Sequence, residues 1–189
     1  MRANADTADM IRLAKTFGCE GIGLCRTERQ FNAPERLSAI REYIMARTPS
    51  ERAEALEILR GFQEEDFAAI FRELDGLPII IRLLDLPLHE FLPSESEATV
   101  PRVREMVKEL REVNPMIGHR GVRLGVTNPE IYRMQVEAIC QAKALVEPEV
   151  KVNAAVMIPQ VITVQELRWV KRQVKAAGLK IGVMMETVR

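Results

Sequence analysis

Short runs of apolar residues alternate with longer amphipathic segments along the whole chain. Six of these runs are predicted to form β-strands: residues 1–4, 21–25, 78–83, 117–124, 154–158 and 180–185. Most of them are continuously apolar or small, which is typical of parallel strands covered on both faces. The segments between them repeat apolar residues at the spacing of an amphipathic helix. The pattern therefore predicts a chain of alternating strands and helices.

Capping residues mark the starts of several predicted helices. Thr163 and Glu166 have the spacing of a capping box, and Asn128 followed by Pro129 is typical of a helix N-terminus. Thr7 has the chemistry of a cap for a first helix. The buried face of that first helix is predicted to consist of Met10, Leu13, Ala14 and Phe17.

The order of strand, helix and strand predicts an α/β fold with right-handed crossovers. An open doubly wound sheet and a closed barrel both fit this order, but the chain lacks a Gly-x-Gly-x-x-Gly motif after an early strand. Polar residues instead follow the predicted strands, as they do in a barrel whose site lies at the C-terminal strand ends. These residues are Arg26, Glu28, Arg82, Asp85, Arg120, Arg123, Gln160 and Glu186. The predicted fold is therefore a (βα)8 TIM-type barrel.

The number of strands is too small for a complete barrel. Six predicted strands compare with the eight of a closed barrel, which needs roughly 250 residues. We therefore expect residues 1–189 to be one domain, a partial barrel that holds strands one to six and lacks the last two strand–helix units. Nothing in the composition predicts a second domain within it.

Composition and charge exclude several classes of protein. The chain has 189 residues, with 27 Lys and Arg against 27 Asp and Glu, so its net charge is zero. That balance disfavours a nucleic-acid-binding protein, because such proteins carry a basic excess. The apolar runs are too short to span a bilayer, and the N-terminus has no secretory apolar segment. Three cysteines without metal spacing favour a reducing compartment, so we expect a cytoplasmic protein without a membrane partner.

Three arginines at predicted strand ends, Arg26, Arg82 and Arg120, indicate the chemistry of the site. Each guanidinium is a planar fork of donors that keeps its charge, so converging arginines suit a phosphate or a carboxylate. Glu186, at a further strand end, offers the hard oxygen ligand that Mg²⁺ takes together with substrate oxygens. The alternative interpretation is structural, with Arg26 paired to Glu28 and Arg82 paired to Asp85.

Three motifs carry a resemblance to a known family. The sequences GIGLCRTE (residues 21–28), IRLLDLPLHEFLP (81–93) and NPMIGHRG (114–121) closely resemble the phosphoenolpyruvate-binding barrel of the pyruvate, phosphate dikinase family. Residues 3–6 and 182–186 resemble the first and sixth strands of that barrel. The related phosphoenolpyruvate synthases and sugar-phosphotransferase enzymes share the arginines but not the context of the two middle motifs. The resemblance covers essentially the whole chain.

The resemblance implies an enzyme domain that interconverts phosphoenolpyruvate (PEP) and enolpyruvate by passing a phosphoryl group from or to a histidine. Arg26 and Arg82 match the arginines that bind the phosphate, Arg120 matches one that lines the site, and Glu186 matches one of two carboxylate ligands of Mg²⁺. The implied partners are PEP or pyruvate, the swivelling phosphohistidine domain of the same full-length chain, and a second subunit in a homodimer. Cys25 is interpreted as a buried packing residue rather than as the catalytic acid.

Other functions remain open at this level. The family's second metal ligand and its cysteine acid belong to later strands, so we expect the 189-residue chain alone to be inactive. A phosphoenolpyruvate synthase-type domain would share the pyruvate half-reaction and would differ in its appended domains. A non-catalytic binding or dimerisation fragment is the alternative from another functional class.

Overall fold

The computed structural model of the chain describes residues 1–174 and 178–187. Within them, five parallel strands form one sheet in the order of the sequence. The strands are β1 (Ala3–Asn4), β2 (Ile22–Arg26), β3 (Pro78–Arg82), β4 (Asn153–Ile158) and β5 (Lys180–Val183). The helices are α1 (Ala8–Thr16), α2 (Pro34–Met45), α3 (Pro49–Leu74), α4 (Pro101–Leu110), α5 (Val122–Thr127), α6 (Pro129–Val146) and α7 (Val164–Gln173). This sequential parallel order is that of a partial TIM-type barrel.

The prediction of a strand at residues 117–124 is wrong. Pro115–Ile117 forms a 3-10 turn with Ile117 exposed, and α5 begins at Val122. Between them, Gly121 has a positive φ of 58°, which turns the backbone out of an extended path. Val122 and Leu124 are buried from this short helix, which packs on α6 and α7, rather than from a strand.

This correction changes the strand count and the place of two candidate residues. The described sheet has five strands instead of six, and β3 pairs directly with β4 from Pro78 opposite Asn153 to Arg82 opposite Met157. Glu186 therefore follows the fifth strand rather than the sixth. Arg120 lies in the loop before α5 and is not at a strand end. The extent of the domain, residues 1–189, stays a prediction.

The core lies between the sheet and the helices that cross over it. Ile79 and Ile81 of β3 are almost fully buried, and Leu59, Phe67 and Phe71 of the long helix α3, which packs on α2 and α6, belong to the same core. The start of α3 is fixed by a capping box between Thr48 and Glu51. The predicted capping box of Thr163 and Glu166 is present at the start of α7. None of the helices in the described part has the length and apolar character that crossing a bilayer requires.

Helix α1 packs differently from the prediction. Its cap is Thr7, as expected, since the Thr7 hydroxyl accepts a hydrogen bond from the backbone N–H of Met10. Only Ile11 is fully buried, whereas Met10, Leu13 and Phe17 are 45%, 59% and 79% exposed. Most of the apolar stripe predicted from the sequence therefore faces outward from α1, which packs on α3.

Candidate active site

The carboxyl ends of β2 and β3 bring the first two predicted arginines side by side. Arg26 and Arg82 are register partners at the last position of their strands. Asp6, in the loop after β1, accepts a hydrogen bond of 2.7 Å from the backbone N–H of Arg26 through Oδ1. Because all the strands are parallel, the loops that come after them meet at one edge of the sheet. The predicted clustering of polar residues at this edge is therefore observed.

A chain of alternating charges runs along this edge. Glu28 contacts Arg82 Nη2 through Oε1, and Arg82 Nη1 lies 3.2 Å from Asp85 Oδ2. Asp85 Oδ1 accepts a hydrogen bond of 3.0 Å from Arg120 Nε. The backbone oxygen of Asp85 also accepts a bond of 2.7 Å from Arg120 Nη2. Asp85 thus connects the two arginines and is only 1% exposed.

The alternative interpretation, in which the arginines form ion pairs with neighbouring carboxylates, holds only in part. Arg82 pairs with Asp85, as that alternative predicts, whereas Glu28 pairs with Arg82 instead of Arg26. Within the described residues, the Arg26 guanidinium has no ion-pair partner. Glu28 and Asp85 balance the charges of Arg82 and Arg120. A buried pair of this kind is sensitive to the loss of one partner, since the remaining charge is left uncompensated.

Arg120 reaches the site although it does not follow a strand. Gly121, immediately after it, lies so close to other side chains that a Cβ there would be 2.7 Å from Gln160 Cγ and 2.9 Å from Asp85 Oδ1. The absence of a side chain at Gly121 therefore lets the loop approach β3 and β4 closely enough for Arg120 to bind Asp85. The sequence predicted a strand here, and only the fold shows that a loop brings Arg120 to this edge.

Gln160 joins the arginine cluster to Glu186. It comes after β4 in the left-handed region with φ of 60°, and its side-chain oxygen lies 3.3 Å from Arg123 Nη2. Its backbone N–H donates a hydrogen bond of 2.9 Å to Glu186 Oε1. Glu186 is itself exposed. The structure thus brings the predicted strand-end residues to one edge of the sheet, although Arg120 arrives from a loop and Arg123 from α5 rather than from strand ends.

Two buried residues of α6 also belong to this region, although the sequence pattern did not single them out. Tyr132 Oη donates a hydrogen bond of 2.9 Å to the backbone oxygen of Leu84, and Gln135 Oε1 accepts one of 2.8 Å from the backbone N–H of Leu84. Leu84 directly precedes Asp85. The sequence does contain a signal for this role: Gln135 comes one turn after Tyr132, and Met134 and Val136 on either side of it are apolar. A buried polar side chain of that kind requires a partner.

Cys25 is fully buried in β2, as interpreted from the sequence. Burial raises the pKa of its thiol, and the nearby carboxylates of Asp6 and Glu28 raise it further. The neutral thiol therefore dominates, and Cys25 packs as a small apolar residue.

Among the described residues, no group of three or more His, Cys, Asp or Glu side chains is arranged to hold a metal ion. Glu186 offers an exposed carboxylate at the edge, with one oxygen held by the backbone N–H of Gln160. Mg²⁺ is commonly bound through one or two carboxylates together with substrate phosphates and waters. A single carboxylate beside an anion site is compatible with that mode of binding.

The fold and this edge define the class of protein. A partial barrel with arginines and carboxylates clustered at the C-terminal strand ends is an enzyme domain for anionic substrates. Over residues 1–189 the sequence matches the family described as PEP-utilising enzyme, PEP-binding domain, and the chain belongs to this family.

Curated relatives agree with the family. The chain is 44% identical to the pyruvate, phosphate dikinase of Entamoeba histolytica over 218 residues, which covers 99% of this chain and 25% of the relative. It is 46% identical to the chloroplastic enzyme of Flaveria trinervia over 180 residues, covering 88% of this chain and 19% of the relative. It is 42% identical to the chloroplastic pyruvate, phosphate dikinase 1 of Arabidopsis thaliana over 212 residues, which covers 99% of this chain and 22% of the relative. The chain thus spans about a fifth to a quarter of these relatives.

Proposed function

We propose that this chain is the PEP- and pyruvate-binding domain of a pyruvate, phosphate dikinase. The domain transfers a phosphoryl group between a phosphohistidine and pyruvate, which reacts as its enolate, to form or consume PEP. The complete enzyme converts ATP, pyruvate and phosphate to AMP, PEP and diphosphate. The observation that carries the proposal is the arginine and carboxylate chain at the strand ends in a member of the PEP-binding family. The names of the relatives favour a dikinase over a phosphoenolpyruvate synthase.

Arg26, Arg82 and Arg120 are the substrate-binding and catalytic residues of this proposal. Arg26 presents a guanidinium without an ion-pair partner in the described part of the chain, so it is free to take a phosphate oxygen. Arg82 keeps Asp85 through Nη1, while its Nη2, which contacts Glu28, is the arm that can be redirected to the phosphate. Arg120, fixed on Asp85, lines the site. Such forks are suited to bidentate binding of phosphate and to the charge that develops during transfer.

Mg²⁺ is the proposed cofactor, with Glu186 as its ligand in this chain. When bound, the ion supplies positive charge that stabilises the enolate and phosphate oxygens. The backbone N–H of Gln160 holds one Glu186 oxygen, which orients the carboxylate and leaves its second oxygen open to the metal. The remaining ligands are substrate oxygens, waters and a second carboxylate outside this chain.

The remaining partners are proposed from the family. The phosphoryl group arrives on the swivelling phosphohistidine domain of the full-length protein, and the barrels pair into a homodimer. We propose a cytoplasmic location. No nucleic acid or membrane takes part in the reaction.

The experiment that tests this function uses the full-length protein and assays its two half-reactions separately. Arg82→Lys keeps the charge but loses the fork that contacts Glu28 and Asp85, so pyruvate phosphorylation should fall by about tenfold or more. Arg72→Lys is the matched control, because Arg72 forms only an exposed pair with Glu149. Equal activity of the two variants would argue that Arg82 has a structural role only.

The metal assignment is tested by Glu186→Gln in the same protein. This change keeps the shape of the side chain and removes its charge, so pyruvate phosphorylation and Mn²⁺ affinity should both fall, while the nucleotide half-reaction is spared. Glu149→Gln, in an exposed surface pair, is the control. Normal pyruvate phosphorylation by Glu186→Gln, or loss of both half-reactions together, contradicts the assignment.

A further inference from the structure

The backbone of Leu84 is bound on both sides by side chains of one helix. β3 makes its last sheet hydrogen bond at Leu83, whose N–H donates to the backbone oxygen of Met157 over 3.0 Å. At the next residue, Tyr132 Oη donates to the Leu84 oxygen over 2.9 Å, and the Leu84 N–H donates to Gln135 Oε1 over 2.8 Å. Tyr132 and Gln135 therefore replace a neighbouring strand where the chain leaves the sheet.

The side chains of Tyr132 and Gln135 are completely buried, and burying polar groups destabilises the folded protein unless they are hydrogen-bonded. Both are 0% exposed, and Gln135 Nε2 has no hydrogen-bond partner among the described residues. A buried polar atom without a partner is destabilising, so an apolar residue at this position would pack at lower cost. Burial raises the pKa of Tyr132, and the Asp85 charge raises it further, so the hydroxyl keeps its proton and acts as a donor. Stability alone does not account for a glutamine at this place.

The residue after Leu84 explains the arrangement. That residue is Asp85, and its two carboxylate oxygens contact Arg82 at 3.2 Å and Arg120 at 3.0 Å. The direction of the Asp85 side chain depends on the peptide between Leu84 and Asp85, and Tyr132 holds the oxygen of that peptide. A shift there would move both guanidinium groups.

The ring of Tyr132 is also held in place by α5. A Cβ at Gly125 would lie 2.5 Å from Tyr132 Cε2, so the helix that comes after Arg120 packs directly on the ring. Tyr132 thus contacts the segment that carries Asp85 and the helix next to the loop carrying Arg120. It fixes the two segments relative to each other.

We propose that Tyr132 and Gln135 are positioning residues for phosphoryl transfer, holding Leu84 so that Asp85 orients Arg82 and Arg120 toward the phosphate. Neither residue touches substrate in this role, and both act through Asp85. The proposal rests on the function proposed above, since it assigns these residues to the same site.

The test uses the full-length protein carrying Tyr132→Phe. This change removes the donor and keeps the ring, so the Leu84 oxygen loses its partner while the packing on Gly125 is preserved. Tyr43→Phe is the matched control, because Tyr43 is also buried and its hydroxyl bonds Glu130 and Asn128 between α2 and α6, with no contact to Asp85, Arg82 or Arg120. Thermal unfolding, the kcat and KM for PEP, and the nucleotide half-reaction are measured for each protein.

Tyr132→Phe is expected to lower kcat/KM for PEP by about tenfold, mainly through KM, with the nucleotide half-reaction unchanged. Tyr43→Phe should change thermal stability but leave the KM for PEP as in the wild type. Gln135→Met, which removes the acceptor at similar volume, should reproduce the effect, and it decides the question if Tyr132→Phe does not fold. A KM for PEP in Tyr132→Phe or Gln135→Met no higher than in Tyr43→Phe overturns the positioning role and leaves the proposed function standing. A wild-type protein that forms no PEP overturns both.

Discussion

At the level of single residues, Gly121 shows how closely the site is packed. It has φ of 58°, and a Cβ there would lie 2.8 Å from Gln160 Cβ as well as 2.9 Å from Asp85 Oδ1. Backbone strain and steric overlap therefore act at the same position. Gly18 has a similar φ of 78°, but no atom lies within 4 Å of the point that a Cβ would occupy there. Comparing substitutions at the two glycines therefore separates the cost of a positive φ from the cost of steric overlap.

Gly121→Ala should destabilise the protein by about 2 kcal/mol or more, because a β-carbon adds overpacking to the cost of a left-handed alanine. Gly18→Ala should lower the free energy of unfolding by only about 1 kcal/mol, because it adds backbone strain without steric overlap. Denaturant unfolding of both variants measures the difference. Equal losses of stability would show that the loop before α5 yields to the added carbon.

Cys25 is the second prediction at this scale. Burial raises the pKa of its thiol, so little thiolate forms near neutral pH, and the surrounding sheet blocks access. We expect a thiol reagent to modify Cys19 and Cys140, which are partly exposed, well before Cys25. Cys25→Ala should remove only the slow phase of the reaction. A fast phase that disappears in Cys25→Ala would contradict the burial of this residue.

At the level of elements, capping fixes where the longest helix begins. The carboxylate of Glu51 accepts hydrogen bonds from the backbone N–H groups of Arg47 and Thr48, and the Thr48 hydroxyl accepts one from Glu51 N–H. The two bonds from backbone N–H groups lower the pKa of Glu51. Helix α3 packs on α2 and α6 and supports the sheet from outside, so its start sets the position of a large part of the core.

A lowered pKa in the folded state means that ionised Glu51 stabilises the fold above the ordinary glutamate pKa of about 4.3. That contribution is lost as the pH falls through the folded-state pKa. Glu51→Gln keeps the shape but not the charge, so it should be less stable than the wild type near about pH 7, and the gap should close below about pH 4. Urea unfolding at both pH values measures this difference in stability, and Glu54→Gln on the same helix is the control. A gap that is independent of pH would contradict this assignment.

At the level of the whole molecule, the described sheet has two edges. β1 and β5 each pair on one side only, and α1, the helix that follows β1 in the chain, exposes Met10, Leu13 and Phe17. Open strand edges and contiguous apolar surface favour association with another chain. The edge that carries the arginines takes residues from the segments after all five strands, from Asp6 after β1 to Glu186 after β5, so it is assembled only by the complete order β1 to β5.

The 189-residue chain expressed alone should associate without a fixed stoichiometry, and its apparent size in gel filtration should rise with concentration. Leu13→Gln combined with Phe17→Gln removes apolar surface on α1 and should weaken this association. Val113→Gln is the control, because Val113 is fully exposed away from that patch. A discrete dimer whose size does not change with concentration would favour a specific interface instead.

The sequence determined those features that depend on local chemistry. Continuous apolar runs placed β2, β3, β4 and β5 to within about two residues, because strands that pair inside a covered parallel sheet are rich in apolar residues. Capping residues likewise marked the starts of α1, α6 and α7. The three motifs identified the family, and the family match confirmed it. The roles of Arg26, Arg82, Arg120 and Glu186 stay predictions.

Only the tertiary structure decided the features that depend on distant partners. Residues 117–124 look like a strand because apolar residues recur along them, but Ile117 is exposed, and Val122 and Leu124 are buried from a helix whose formation depends on the neighbouring elements. Sequence spacing could not pair Glu28 with Arg82, nor place Tyr132 and Gln135 on Leu84, because these contacts join separate loops and helices. The outward face of α1 was likewise set by its neighbours. The sequence pattern shows whether a side chain is apolar or charged, whereas the tertiary fold determines which residues it contacts.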